Sequence, residues 1–212
     1  MPAGSEKLTA ARKEEIVDAC AQLYERMPFK KITLGLIGEY TSFTRTSIYN
    51  YFQTKEEIFL ALLEREYARW VGDLKELADA AIPESGFSAA FSALLEKRKC
   101  MLKLMSMNLY DMESGSRLEN LVSFKRVYSE SMLAVAHCLQ KHCPFVTDED
   151  AQQFIYAFYP FLFGIYPYTE ASERQLQAMD IVGIKYRKYS VSEIAASLVE
   201  KLIKSFKRGE QA

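Results

Sequence analysis

No apolar run in this chain is long enough to cross a bilayer. The longest, Phe154 to Tyr166, has 13 residues and includes Pro160, whereas a spanning helix needs roughly 20; it reads as a buried helix. No apolar N-terminal stretch precedes a cleavage site, so the expectation is a cytosolic protein with no membrane partner. Its four cysteines, Cys20, Cys100, Cys138 and Cys143, should stay reduced. A Gly-rich phosphate loop, a GxSxG elbow and an HExxH helix are all missing, and the acidic residues are scattered at helical surface spacing. No enzyme and no cofactor are expected, with an all-α enzyme kept as the alternative class. A large charge of one sign is missing too. A formal net charge of −1 excludes a protein that coats DNA by charge alone.

What is present is apolar residue at helical spacing. The apolar share of 49% can bury a core. Charge is distributed unevenly. Residues 1–55 hold 8 Lys and Arg against 6 Asp and Glu, and the remainder hold 19 against 22. A mildly basic front on an acidic body suits a protein that offers one end to phosphate. Ile16, Ala19, Cys20, Leu23 and Met27 predict a first helix of about Ala11 to Met27, stopped by Pro28. Thr33 caps a short second helix around Leu34 to Gly38. Thr41-Ser42-Phe43 is a tight turn, and a third short helix runs from about Thr44 to Tyr51. A capping box, Thr54 with Glu57, opens a long helix to about Asp79.

Ile82 to Gly86 is the clearest break. Phe87 to Met107 then reads as one helix, and Asp111 to Ser116 as a polar interruption. The next helix should bury Leu118, Leu121, Tyr128, Met132, Val135 and Leu139, ending near Pro144. Another opens at Thr147 with an acidic first turn that suits the helix dipole. Further capping boxes stand at Ser172 with Gln175 and Ser190 with Glu193, and the last helix should bury Ile194, Leu198, Leu202 and Phe206. No strand pattern, repeat or low-complexity tail competes. The fold class is all-α with about nine helices. A three-helix head with a helix-turn-helix (residues 1–54) is joined by the helix of residues 55–79 to a larger helical bundle (80–212).

Residues 29–59 read FKKITLGLIGEYTSFTRTSIYNYFQTKEEIF. Two short helices around a tight turn are the device that lays its second helix in the major groove. That helix offers Thr44, Arg45, Thr46, Ser47, Tyr49 and Asn50 to phosphates or base edges, while Ile48 and Phe52 point back to the first helix. A solvated polar helix is the bland alternative. The segment resembles the TetR family, whose motif ends in Leu/Ile-Tyr-x-Tyr-Phe followed by Lys-x-Glu. Here those positions are Ile48-Tyr49-Asn50-Tyr51-Phe52 and Lys55-Glu56-Glu57. The resemblance covers about residues 10–60. It implies phosphate contacts from Thr33, Tyr49 and Lys55, and places Thr44, Arg45, Thr46, Ser47 and Asn50 nearest the bases. It departs in two turns: the usual turn glycine is Ser42, and the usual glycine after the first helix is Pro28.

The resemblance gives the rest of the chain two roles, homodimer formation and binding of a small effector. Tyr156, Phe158, Tyr159, Phe161 and Phe163 crowd one helix, on which Ala157 and Gly164 lie seven apart and admit a partner helix. Pro160 should bend it. Met101, Met105, Met107 and Met112 give an adaptable apolar lining. An apolar or aromatic effector is placed among Met101, Met105, Tyr128, Tyr156 and Tyr159, although ordinary core is the blander reading. His137, Cys138, His142 and Cys143 include both histidines, but adjacent pairs five apart are not the spacing of structural zinc; no metal is expected. The functional expectation is a sequence-specific regulator, a repressor on palindromic double-stranded operator DNA. The alternative is a nucleoid-associated factor of the same fold without an effector.

Overall fold

A computed structural model describes residues 3–207, the side chains of residues 3–6, Arg45 and Met107 lying outside that description. The described residues are helical, with no strand. The α-helices are α1 (Ala3–Arg26), α2 (Leu34–Glu39), α3 (Arg45–Ile48), α4 (Lys55–Asp79), α5 (Glu84–Glu96), α6 (Lys99–Ser114), α7 (Leu118–His142), α8 (Asp148–Thr169), α9 (Glu173–Ile181) and α10 (Val191–Phe206), with a 3-10 turn at Phe29–Lys31. None of them is long and apolar enough to cross a membrane.

Side-chain caps set many of the helix starts. Thr33 accepts the Leu36 N–H, and reciprocal capping boxes form at Thr147 with Asp150, Ser172 with Gln175 and Ser190 with Glu193. Helix α1 starts earlier than its apolar stripe, which first buries a side chain at Ile16. The stretch from Phe87 to Met107 is two helices. Arg98 interrupts it, its N–H bonding the Leu95 carbonyl at 2.9 Å while its guanidinium grips Asp73 at 2.7 and 2.8 Å. The polar interruption at Asp111–Ser116 is shorter than its composition suggested, because α6 continues to Ser114.

Two compact units result. One runs to Glu66 and takes in Asn108–Tyr128; the other holds Tyr67–Met107 and the chain from Ser129 onward. The unit boundary therefore falls within α4, α6 and α7. In the first unit Ile16, Cys20, Leu23, Ile37, Ile48 and Phe59 are buried. Tyr24 and Phe29 meet Phe59 edge-on at 5.2 and 4.6 Å.

Glu57 is a charged member of this interior, its side chain fully shielded from solvent. Arg117 Nε donates to Glu57 Oε1 at 2.6 Å and Nη2 to Oε2 at 3.1 Å. The backbone N–H of Arg117 adds 3.2 Å and that of Gln53 2.7 Å. Thr54 accepts the Glu57 N–H, as expected of a capping box, but the carboxylate bonds Gln53 rather than the cap itself. Arg117, sixty residues away, turns the carboxylate toward itself. Burial would raise the Glu57 pKa, but hydrogen bonds from Arg117 and the Gln53 N–H hold it below its ordinary 4.5.

The second unit packs on Trp70 and Phe158, whose ring centroids lie 6.3 Å apart, with Phe154 and Phe91 5.2 and 5.3 Å from Phe158. Helix α8 turns Ala151, Phe154, Phe158, Leu162, Ile165 and Thr169 inward, a three-four spacing uninterrupted by Pro160 and Pro167. Helix α7 buries Val135 and Leu139 as expected, but the rest of its inward face differs from the one read off its leucines. Phe124, Ser131, Val135, Cys138 and His142 are buried, while Leu118 is 74% exposed. Counting apolar residues skipped Ser131 and His142, which are buried because Tyr159 and the Leu77 carbonyl bond them at 2.7 and 2.8 Å. Helix α10 buries Val191, Ala195, Val199, Ile203 and Phe206. Of the four residues expected inside, Ile194, Leu198 and Leu202 are only half-buried, on a second apolar stripe.

Two stability measurements follow. Phe158→Ala should lower unfolding free energy by about 3–5 kcal/mol through the cavity left among the rings. Glu57→Ala should cost about 1–3 kcal/mol at neutral pH, since it leaves the Gln53 and Arg117 backbone N–H groups without their acceptor. A carboxylate with a depressed folded pKa stabilises above its unfolded pKa and loses that contribution as pH falls through the folded one. The gap between wild type and Glu57→Ala in denaturant titrations should therefore narrow below pH 4.5.

Candidate nucleic-acid interface

The first unit holds α2 and α3 as a helix pair around Thr41-Ser42-Phe43. Among the described residues no side-chain-bearing residue has a positive φ, so this turn needs no glycine. Side chains hold it instead. Thr41 Oγ1 bonds the Gly38 and Phe43 carbonyls at 2.9 and 3.0 Å. The Glu15 carboxylate, from α1, accepts both the Ser42 N–H and the Ser42 hydroxyl. Ser42 thus stands in for the family's glycine with a fastening of its own. Pro28 likewise opens the 3-10 turn in extended backbone, at φ −72°.

Ile48 is wholly buried and Phe52 nearly so, which turns the opposite side of α3 and its following turn outward. Thr44, Thr46, Tyr49 and Asn50 are exposed there, Tyr49 by 46%, and Ser47 is half-buried with its hydroxyl 3.2 Å from that of Thr44. Arg45 starts α3, but its expected role falls on a side chain outside the described ones. Thr33 is exposed at the α2 start, with its hydroxyl oxygen already accepting the Leu36 N–H at 3.2 Å. Its proton can still be donated outward.

Lys55 is the least free of the expected phosphate ligands. Its Nζ donates to the Phe29 carbonyl at 3.1 Å and stands 4.1 Å from the Phe29 ring centroid. An ammonium has three donors, so this anchoring still leaves donors for phosphate. Periodicity did not flag Arg12, which comes from α1 to bond the Tyr51 hydroxyl at 3.1 Å. Exposed Lys30 and Lys31 also went unassigned. The result is a short helix presenting hydroxyl and amide groups, with cations beside it.

The expected effector residues separate. Met101, Met105 and Tyr159 are buried in the second unit, and Tyr67 donates to the Met105 sulfur at 3.3 Å. Tyr128 belongs to the first unit, half-buried. Tyr156 is 73% exposed and cannot line an interior. Two residues past Phe154, it is turned some 200° from the inward stripe. Met112 is buried in the first unit, and Met107 lies outside the described side chains. Cys138 and Cys143 are buried, their thiols pushed up to about 12 and about 11 chiefly by desolvation. His142 stacks on Phe87 at 5.2 Å and bonds Leu77, and His137 is exposed on another face.

The model of the N-terminal domain of the tetR family of bacterial regulatory proteins matches residues 16–62. The model of a tetracyclin repressor-like C-terminal domain matches residues 64–204. Among curated proteins none matches. Solved structures share the fold. A protein from Mesorhizobium loti described as a TetR-family transcriptional regulator aligns with TM-score 0.60 at 15% identity, over 93% of this chain and 97% of its own. The fatty acid degradation regulator FadR from Bacillus halodurans aligns with TM-score 0.59 at 14% identity, over 94% and 96%. A helix-turn-helix with an outward polar face, followed by a helical body that the second model spans, makes this chain a member of the TetR family of bacterial transcriptional regulators.

Proposed function

We propose that the protein is a cytoplasmic repressor that binds a palindromic operator as a homodimer and releases it when a small apolar or aromatic effector binds the second unit. The observation that carries the DNA reading is the face of α3, where Thr44, Thr46, Tyr49 and Asn50 are exposed over a buried Ile48. Thr33, Tyr49 and Lys55 contact phosphate in this reading, and Thr44, Arg45, Thr46, Ser47 and Asn50 lie against the bases. Repression follows from occupancy, because a compact dimer over a promoter excludes polymerase.

The dimer reading rests on the outward faces of α8 and α10. Ala157, Pro160 and Gly164 are exposed on α8, and Ile194, Leu198 and Leu202 are only half-covered on α10. Phe161, Tyr189, Ile194 and Leu198 line an open groove of about 440 Å³ between them. An isologous contact would cover both faces and give the symmetry that a palindrome requires.

The effector reading rests on the interior around Met101, Met105 and Tyr159. Trp70 stands 6.0 Å from Tyr159, and its indole N–H has no acceptor among the described residues. A buried donor without a partner costs about 1–3 kcal/mol, and an acceptor on an otherwise apolar molecule would satisfy it. Coupling to DNA is typically about 1–3 kcal/mol and is reciprocal; α4, shared by both units, carries it in this reading.

Selection of duplexes from a random pool by the purified protein tests the function. Enrichment of an inverted repeat is the expected result, and recovery of unrelated sequences would leave the repressor reading without support. On the selected duplex, Lys55→Ala should weaken binding to all sequences alike and reduce the salt slope by about one unit. A sequence-selective loss would remove Lys55 from the phosphate ligands. Leu198→Arg should turn the dimer into monomer or aggregate in light scattering. A wild-type monomer at micromolar concentration would contradict the dimer. Trp70 is the chain's one tryptophan, so an effector from an apolar-compound screen should change its emission, and less tightly when operator is present.

A further inference from the structure

The corner between α6 and α7, Gly115 to Arg117, is about sixty residues from the reading helix in sequence, yet it bonds Thr54 directly and reaches Gln53 through Glu57, the two residues that join that helix to α4. Glu57 Oε2 accepts the Gln53 N–H at 2.7 Å, and Thr54 Oγ1 donates to the Gly115 carbonyl at 3.0 Å. The same carboxylate takes two donors from the Arg117 guanidinium and one from its backbone. Gly115 is there because nothing larger fits. A Cβ at that position would lie 2.6 Å from Glu56 Cγ, 2.8 Å from Glu56 Cβ and 3.1 Å from the Asp111 carbonyl. Every one of these groups belongs to the first compact unit.

We infer that Arg117 is a positioning residue for DNA binding: through Glu57 and Gln53 it fixes where the reading helix ends, without itself touching phosphate. The inference rests on the DNA-binding reading above. The link it fixes is short. Phe52 is buried against the head, Gln53 and Thr54 follow, and Lys55 begins α4. Tyr49 and Asn50 lie within one turn of Gln53, so a loosened Gln53 loosens the part of the interface that closes the reading helix. The guanidinium is already committed. Nε and Nη2 bond Glu57, and Nη1 pairs with Glu119 at 2.9 Å. With three of its five N–H donors on carboxylates and its charge set between Glu57 and Glu119, this side chain orients a neighbour better than it recruits phosphate.

The test uses the full-length protein and the duplex that the wild type itself selects from a random pool. Wild-type binding is measured first, and its absence would refute the DNA-binding reading rather than this one. With binding present, Arg117→Gln should lower affinity about tenfold or more, comparable to losing one charge-assisted hydrogen bond. The slope of log K against log salt should stay at the wild-type value, because no phosphate contact is lost. A slope smaller by about one unit would show Arg117 to be a phosphate ligand and overturn the inference. Unchanged affinity would overturn it as well. Arg117→Lys keeps the charge and not the fork, so it covers the case in which the glutamine variant does not fold. It should fall between wild type and glutamine at unchanged slope, and wild-type affinity from it would count against the fork. Amide exchange supplies a readout independent of DNA: the Gln53 N–H should exchange faster in either variant while the Phe158 amide is unaffected. Equal Gln53 protection in variant and wild type would remove the positioning role.

Discussion

A carboxylate with no access to water must have its acceptor sites filled, and in this protein that constraint falls on Glu57. Taking an ion out of water costs several kcal/mol, which only good geometry and further hydrogen bonds recover. Glu57 has both, with a forked guanidinium on one side and two backbone N–H groups around it. Because those donors come from Gln53 and Arg117, satisfying one charge joins three parts of the chain. The end of the helix-turn-helix, the start of α4 and the α6–α7 corner become one unit. Gly115 is a consequence, since the corner approaches Glu56 too closely for a side chain.

The second unit follows a different logic. Its interior is aromatic, with Trp70, Phe91, Phe154 and Phe158 in contact, and shape rather than charge decides the packing. Helices α8 and α10 each bury one stripe in this interior and carry a second apolar one outward. Helix α9, between them, has no buried residue, and Ile181 just at its end is 84% exposed. A surface helix normally carries a polar outer face, whereas α8 past Gln153 exposes Tyr156, Ala157, Pro160, Gly164, Pro167 and Tyr168.

The sequence made the local features legible because their causes are local. A Thr three residues before an acceptor-bearing side chain, or a Pro at a helix start, acts within one turn, and the caps at Thr33, Ser172 and Ser190 stand as read. The head was legible through Ile48, Phe52 and the polar residues between them. The rest depended on partners far along the chain. Glu57 looked like half of a capping box because Arg117 could not be anticipated, and the α5–α6 break depends on Asp73. Val135 and Leu139 mark the inward face of α7, but the rest of it is hidden in the sequence because Ser131 and His142 count as polar until their buried partners are known. Tyr156 was drawn into a pocket by composition alone, whereas the spacing of Phe154, Phe158 and Leu162 already turned it outward. Ser42 was a departure from the family that the structure accounts for, through Glu15.

Binding of a symmetric operator by a symmetric protein is the claim on which the rest of this account stands. Footprinting of the full-length protein on its selected duplex tests it most directly. Two equivalent protected half-sites, related by a two-fold axis and centred about 10 base pairs or a multiple apart, are the predicted result. A single unpaired footprint, or protection spreading evenly along the duplex, would contradict it.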